Sequence, residues 1–206
     1  MTFVGEVMDS EIALWIKIAY TVQLAVILPV YAVVWGWRNF LWFSDIALIT
    51  TGIALWLDSA LLVSMMALAV LLPELLWSAS YFCRLLFGLR VTDLAGYMFD
   101  ARKPRFVRAL SLFHVVVPAV LIWMLHELGY DARALAGQTL LAWIVLPLTY
   151  SVTTPAHENI NWVRGPVKLQ RRVPPLVWLA FLMLAFPVGL YLPTHLALRA
   201  LFAPAG

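Results

Sequence analysis

The chain of 206 residues is 64% hydrophobic and 12% charged, with 14 Lys and Arg, 11 Asp and Glu and a formal charge of +3. About half the charge of an ordinary soluble domain excludes a water-soluble globule and indicates an integral membrane protein. The lone cysteine, Cys83, excludes an intramolecular disulfide and a cysteine metal cluster.

Six apolar stretches approach the roughly 20 residues that a helix needs to cross a bilayer. The first, residues 12–35, follows Glu6, Asp9 and Glu11 without a basic residue or a small-residue cleavage pattern, so it reads as a retained span and not a signal. Lys17 within it is expected to snorkel to the interface. Residues 40–57 and 60–86 run together except at Leu57-Asp58-Ser59, yet one helix over both would be about 70 Å long. A tight hairpin at Asp58 is therefore predicted. The connection 87–107 carries Gly88, Gly96 and Pro104 among Leu94, Tyr97, Met98 and Phe99, a pattern that suits the membrane interface. Spans follow at 108–128 and 135–152, then a long connection, 153–174, with His157-Glu158-Asn159 and Asn161-Trp162, and a last span at 175–200. Prolines fall within every span except the second and can splay helices around a cavity.

Basic residues orient these spans. Arg38, Arg84, Arg90, Arg102, Lys103, Arg105, Arg108, Arg164, Lys168, Arg171 and Arg172 fall to one side, against Arg133 and Arg199 on the other. That excess assigns the first side to the cytoplasm. The expected fold is all-α, a polytopic bundle of six transmembrane helices with both termini outside, forming a single domain over residues 1–206. Orientation and anionic lipid account for the positive charge, and nucleic acid need not be invoked.

Intramembrane ionisable groups are costly and usually face a cavity, a partner or a pathway. Asp45 lies five residues after Phe40 and His114 six after Arg108, on helices entering from the same side, so each sits roughly 7 to 9 Å along its helix. The shared depth suggests one inner-leaflet site in which Asp45 orients the imidazole of His114 and a hydroxyl or thiol acts as nucleophile. Ser44 adjoins Asp45, while Cys83, Tyr81, Thr149 and Tyr150 lie near the same face. His157, Glu158, Asn159 and Asn161 could close over them, with either asparagine donating to an oxyanion. Against this stands a purely structural Asp–His pair that fixes helix packing. Glu74, beside Pro73 in the middle of the third span, reads as a protonated, hydrogen-bonded acid, and Cys83 as a buried thiol.

The stretch Asn39-Phe40-Leu41-Trp42-Phe43-Ser44-Asp45-Ile46, with Ser111-Leu112-Phe113-His114 and then Pro118, resembles a family of uncharacterised bacterial multi-pass membrane-associated proteins. More distantly it is similar to the androgen-induced family of intramembrane fatty-acid-ester hydrolases, which also has a Trp-Val pair comparable to Trp162-Val163. The resemblance implies a bacterial inner-membrane location and a Thr/His lipid hydrolase with His114 at the matching histidine. Trp42 occupies the position of the family's nucleophilic threonine, and indole cannot serve. Either Ser44 or Cys83 replaces it, or the protein is not a hydrolase.

Two function classes remain. The leading one is an intramembrane lipid ester hydrolase or acyltransferase with His114 as general base, Asp45 as orienter and Ser44 as nucleophile, and with Trp42, Cys83, Glu158, Asn159 and Asn161 around the substrate. The alternative is a non-enzymatic subunit binding lipid or a small molecule. Membrane lipid is the expected partner, with a second copy or a membrane complex compatible with either class. No cofactor or metal is called for, since a single well-buried histidine argues against two-His haem ligation.

Overall fold

The computed structural model describes residues 12–154, 159–166 and 172–202. Among these the chain is helical throughout, without a strand. Helix α1 (Leu14–Val34) leads through Gly36, at φ +79°, into a 3-10 turn at Trp37–Leu41. Helix α2 (Phe43–Leu57) then begins later than hydropathy suggests, because Trp42 is extended at φ −61°, ψ 135°. Its 15 residues reach about 22 Å, short of the roughly 30 Å hydrocarbon layer.

The hairpin at Asp58 is present. Asp58 takes the left-handed conformation that Asp tolerates, ending α2, and Ser59 Oγ accepts from Leu62 N–H at 3.3 Å to open α3 (Ala60–Phe87). Gly88, at φ +69°, closes that 28-residue helix. The span expected at 108–128 is interrupted: a short α4 (Arg105–Leu110) tightens through Ser111 and Leu112 before α5 (Phe113–Leu128) begins. Helix α6 covers Ala134–Val152. The last span divides into α7 (Pro175–Ala185), a π turn (Phe186–Tyr191) and α8 (Leu192–Phe202), the irregularity falling at Pro187, which has no N–H to donate.

Five helices are long and apolar enough to cross a membrane, at Leu14–Val34, Ala60–Phe87, Arg105–Leu128, Ala134–Val152 and Pro175–Phe202, with the shorter apolar α2 beside them. Large apolar side chains such as Val33, Leu86, Phe87, Leu140 and Leu184 cover the exterior. An apolar exterior over apolar helices fits a multi-pass membrane protein. Helix α3 is central, burying Val63, Met66, Ala67, Leu68 and Val70 and packing against α2, α5 and α6. Small residues permit close approach: a Cβ on Gly52 of α2 would run into Leu24 of α1, and one on Gly137 would lie 2.9 Å from Met65 Sδ.

The two ends differ. One carries Asp58, Gly129–Asp131 and Phe202, joined by Tyr130 N–H to Phe202 O at 2.9 Å. Lys17 lies here, and instead of snorkelling it is 0% exposed and pairs with Asp58 at 3.0 Å. The hairpin supplies its counter-ion inside the bundle. The other end carries the described cations Arg38, Arg84, Arg90, Arg102, Lys103, Arg105, Arg108, Arg164 and Arg172, against Lys17, Arg133 and Arg199 at the first. Several lie over aromatic rings, as Lys103 does over Trp35 and Arg84 over Phe99, both at 4.3 Å. The connection between α3 and α4 folds back onto α3, with Ala95 and Met98 buried against Trp77.

Candidate functional site

His114 occupies the first turn of α5, immediately after the Ser111-Leu112 break, and its ring faces α3. Its Nδ1 lies 2.6 Å from Oε2 of Glu74, so the imidazole is oriented by Glu74 and not by Asp45. The Glu74 side chain is 4% exposed and that of His114 15%. Trp77, one helical turn beyond Glu74, stacks on the imidazole at 4.6 Å, and Phe113 stacks at 4.1 Å. Ser78, four residues after Glu74, donates to the His114 carbonyl at 3.2 Å. One face of α3 thus holds ring, carboxylate and backbone together.

With Glu74 ionised, Nδ1–H donates to the carboxylate and the Nε2 lone pair is left as the basic position. Nε2 takes no hydrogen bond among the described residues. An imidazole oriented in this way can act as a general base.

Asp45 sits in the first turn of α2, where the helix N-terminus favours a carboxylate. Tyr31 shares a 2.8 Å hydrogen bond with Ser111 Oγ, at the break that leads into His114. Tyr97, from the loop packed on α3 beside Trp77, has its hydroxyl pushed up from the ordinary tyrosine range by burial. It therefore stays protonated. The Tyr31–Ser111 bond thus lies three residues ahead of His114, and α2 and α5 are neighbours.

The remaining expected residues serve other contacts. Asn161, in the left-handed region at φ +51°, donates through Nδ2 to Leu41 O at 2.6 Å and accepts at Oδ1 from Phe43 N–H at 3.1 Å. It clamps the start of α2 and is not arranged as an oxyanion donor. Asn159 closes its own loop, donating to Gly165 O at 2.8 Å and accepting from Arg164 N–H at 3.0 Å. Ser44 is partly buried and makes no side-chain hydrogen bond among the described residues. Trp42 is the partly buried residue at which the 3-10 turn gives way to α2. Cys83 is nine residues beyond Glu74, roughly 13 Å along the axis, and so is not beside the pair. Glu158 and His157 lie outside the described residues. No cluster of three or more His, Cys, Asp or Glu is gathered among the described residues.

Glu74 is the functional candidate that the depth count passes over. Depth taken from the hairpin side would have found it, because Glu74 lies fourteen residues after Ala60 and His114 fourteen before Leu128. Comparison with protein-family models, curated proteins and solved structures finds no match, so the reading of this site stands on its geometry.

Proposed function

We propose that the protein is a six-span protein of the bacterial cytoplasmic membrane, with its termini opposite the basic loops, and that it hydrolyses a lipid ester at the Glu74–His114 pair. The observation that carries the reading is the 2.6 Å bond between Nδ1 and Oε2 on a ring clamped by Trp77 and Phe113, with Nε2 taking no hydrogen bond among the described residues. The resemblance of residues 39–46 and 111–114 to intramembrane fatty-acid-ester hydrolases supports the same chemistry.

Because Ser44 makes no hydrogen bond to His114, the nucleophile assigned is water. Nε2 takes a proton from water as the water oxygen bonds to the ester carbonyl carbon, and Glu74 stabilises the resulting imidazolium. Collapse of the tetrahedral intermediate breaks the ester C–O bond, Nε2–H returns the proton to the leaving alkoxide, and a fatty acid and an alcohol depart. On a panel of fatty-acyl esters, His114→Ala should lower turnover by roughly 10²- to 10⁴-fold, the contribution of a general base. Glu74→Gln should lower it less, and Ser44→Ala should leave it unchanged. Loss with Ser44→Ala would instead favour an acyl-enzyme and transfer to a second alcohol.

A second reading, a non-enzymatic lipid-binding subunit, is favoured by the Tyr31–Ser111 bond, which holds α1 against the α4–α5 break beside the pair. It predicts that His114→Ala lowers stability while no ester is turned over by the parent protein.

A further inference from the structure

At the end remote from the His114 pair, an open groove of about 610 Å³ runs between α6 and α8. Its α6 wall is a stripe at helical spacing, Leu135, Ala136, Thr139, Leu140 and Trp143, with Ala132 just ahead of the helix, and its α8 wall holds His195 and Arg199 one turn apart. Trp143 lies nine residues into α6, about 14 Å from the outer end of that helix. Its Nε1–H donates to Met183 O at 2.8 Å, which fixes the indole against α7.

At this end Asp58 is paired with Lys17 and Asp131 with Arg133 at 2.6 Å, while Glu127 lies 3.4 Å from the exposed His126 ring. Arg199 makes no ion pair among the described residues. His195 adds a donor: its Nδ1 lies 2.7 Å from the Tyr130 hydroxyl, which burial and neighbouring Asp131 push up to about 12. With that hydroxyl donating to Nδ1, the neutral ring carries its proton on Nε2. A guanidinium and an N–H thus stand at the outer end of an apolar trough on the lipid-facing side, complementary to a phosphate diester joined to acyl chains.

We propose that the α6–α8 groove binds an anionic phospholipid of the leaflet opposite the basic loops, its phosphate on Arg199 and His195 and one acyl chain along Leu135, Leu140 and Trp143. This is a second lipid site, independent of the chemistry at His114.

The test is native mass spectrometry of the full chain in detergent, titrated with phosphatidylglycerol or with phosphatidylcholine of the same acyl composition. One tightly held phosphatidylglycerol is expected beyond any phosphatidylcholine. Arg199→Gln, at an exposed position, should weaken that equivalent about tenfold, the scale of one lost charge-assisted hydrogen bond. Ala136→Trp should displace it by filling the trough, and Arg90→Gln, at the opposite end, should not. Binding unchanged by Arg199→Gln and Ala136→Trp overturns the proposal, as does displacement by millimolar inorganic phosphate, which indicates a soluble anion site. A dimer that Ala136→Trp dissociates assigns the groove to a second copy. A gain of lipid on neutralising Glu6, Asp9 and Glu11 assigns it to the chain's own acidic segment. None of these outcomes depends on ester turnover, so this site and the His114 site stand or fall separately.

Discussion

Glu74 and His114 are each costly inside an apolar bundle, and the cost falls when they share a proton. The pair therefore has a thermodynamic signature distinct from its chemistry. His114→Leu or Glu74→Leu alone leaves one polar group buried without its partner and should destabilise the bundle by about 2 to 4 kcal/mol. Replacing both by leucine should cost less than the sum of the two, measured as unfolding free energy in a detergent and denaturant titration. An additive double variant would mean that the two side chains are not coupled. Lys17 and Asp58 allow a comparable test. Asp58→Asn keeps a residue that tolerates the left-handed turn while removing the charge 3.0 Å from a fully buried ammonium, so a loss of about 1 to 3 kcal/mol reports the ion pair without the backbone.

At the scale of elements, the start of α2 is set from far along the chain. Residues 40–42 are as apolar as those that follow, and nothing local stops a helix from beginning at Phe40. Asn161, 120 residues after Leu41, accepts the first N–H of α2 and ties down the preceding carbonyl. Asn161→Gly removes both bonds while keeping the positive φ unstrained, and it should fray the first turn of α2, seen as faster amide exchange at Ser44 and Asp45, at a cost of about 1 to 2 kcal/mol. Helix proximity is set similarly at Gly52. Tyr20, packed over it, is held by its hydroxyl to Leu48 O at 3.0 Å, so Gly52→Leu has no room to repack and should cost about 1 to 3 kcal/mol. Gly52→Ala meets chiefly the flexible end of Leu24 and should be milder.

Over the whole molecule, the cations at one end should decide orientation. In a Cys83→Ser background, cysteine at His126 should react with an impermeant thiol reagent in intact cells, whereas cysteine at Arg102 should not. Both positions have exposed side chains, so the reversed pattern would invert the assignment of sides and move the His114 site to the outer leaflet. The sequence alone determined that the chain is made of long apolar helices, that a hairpin turns at Asp58 and that the basic residues gather at one end. Those properties are local or additive: the length of an apolar run, a turn residue, a sum of charges. Which groups meet inside was decided only by the tertiary structure. These helices are apolar nearly all round, so no face is marked in advance, and pairing depends on rotation and axial stagger that arise only on packing. Hence Asp45 and His114 could be placed at one end from the sequence, whereas Glu74 as the partner of His114, the interruption at Ser111 and the Asn161 clamp required the packed bundle.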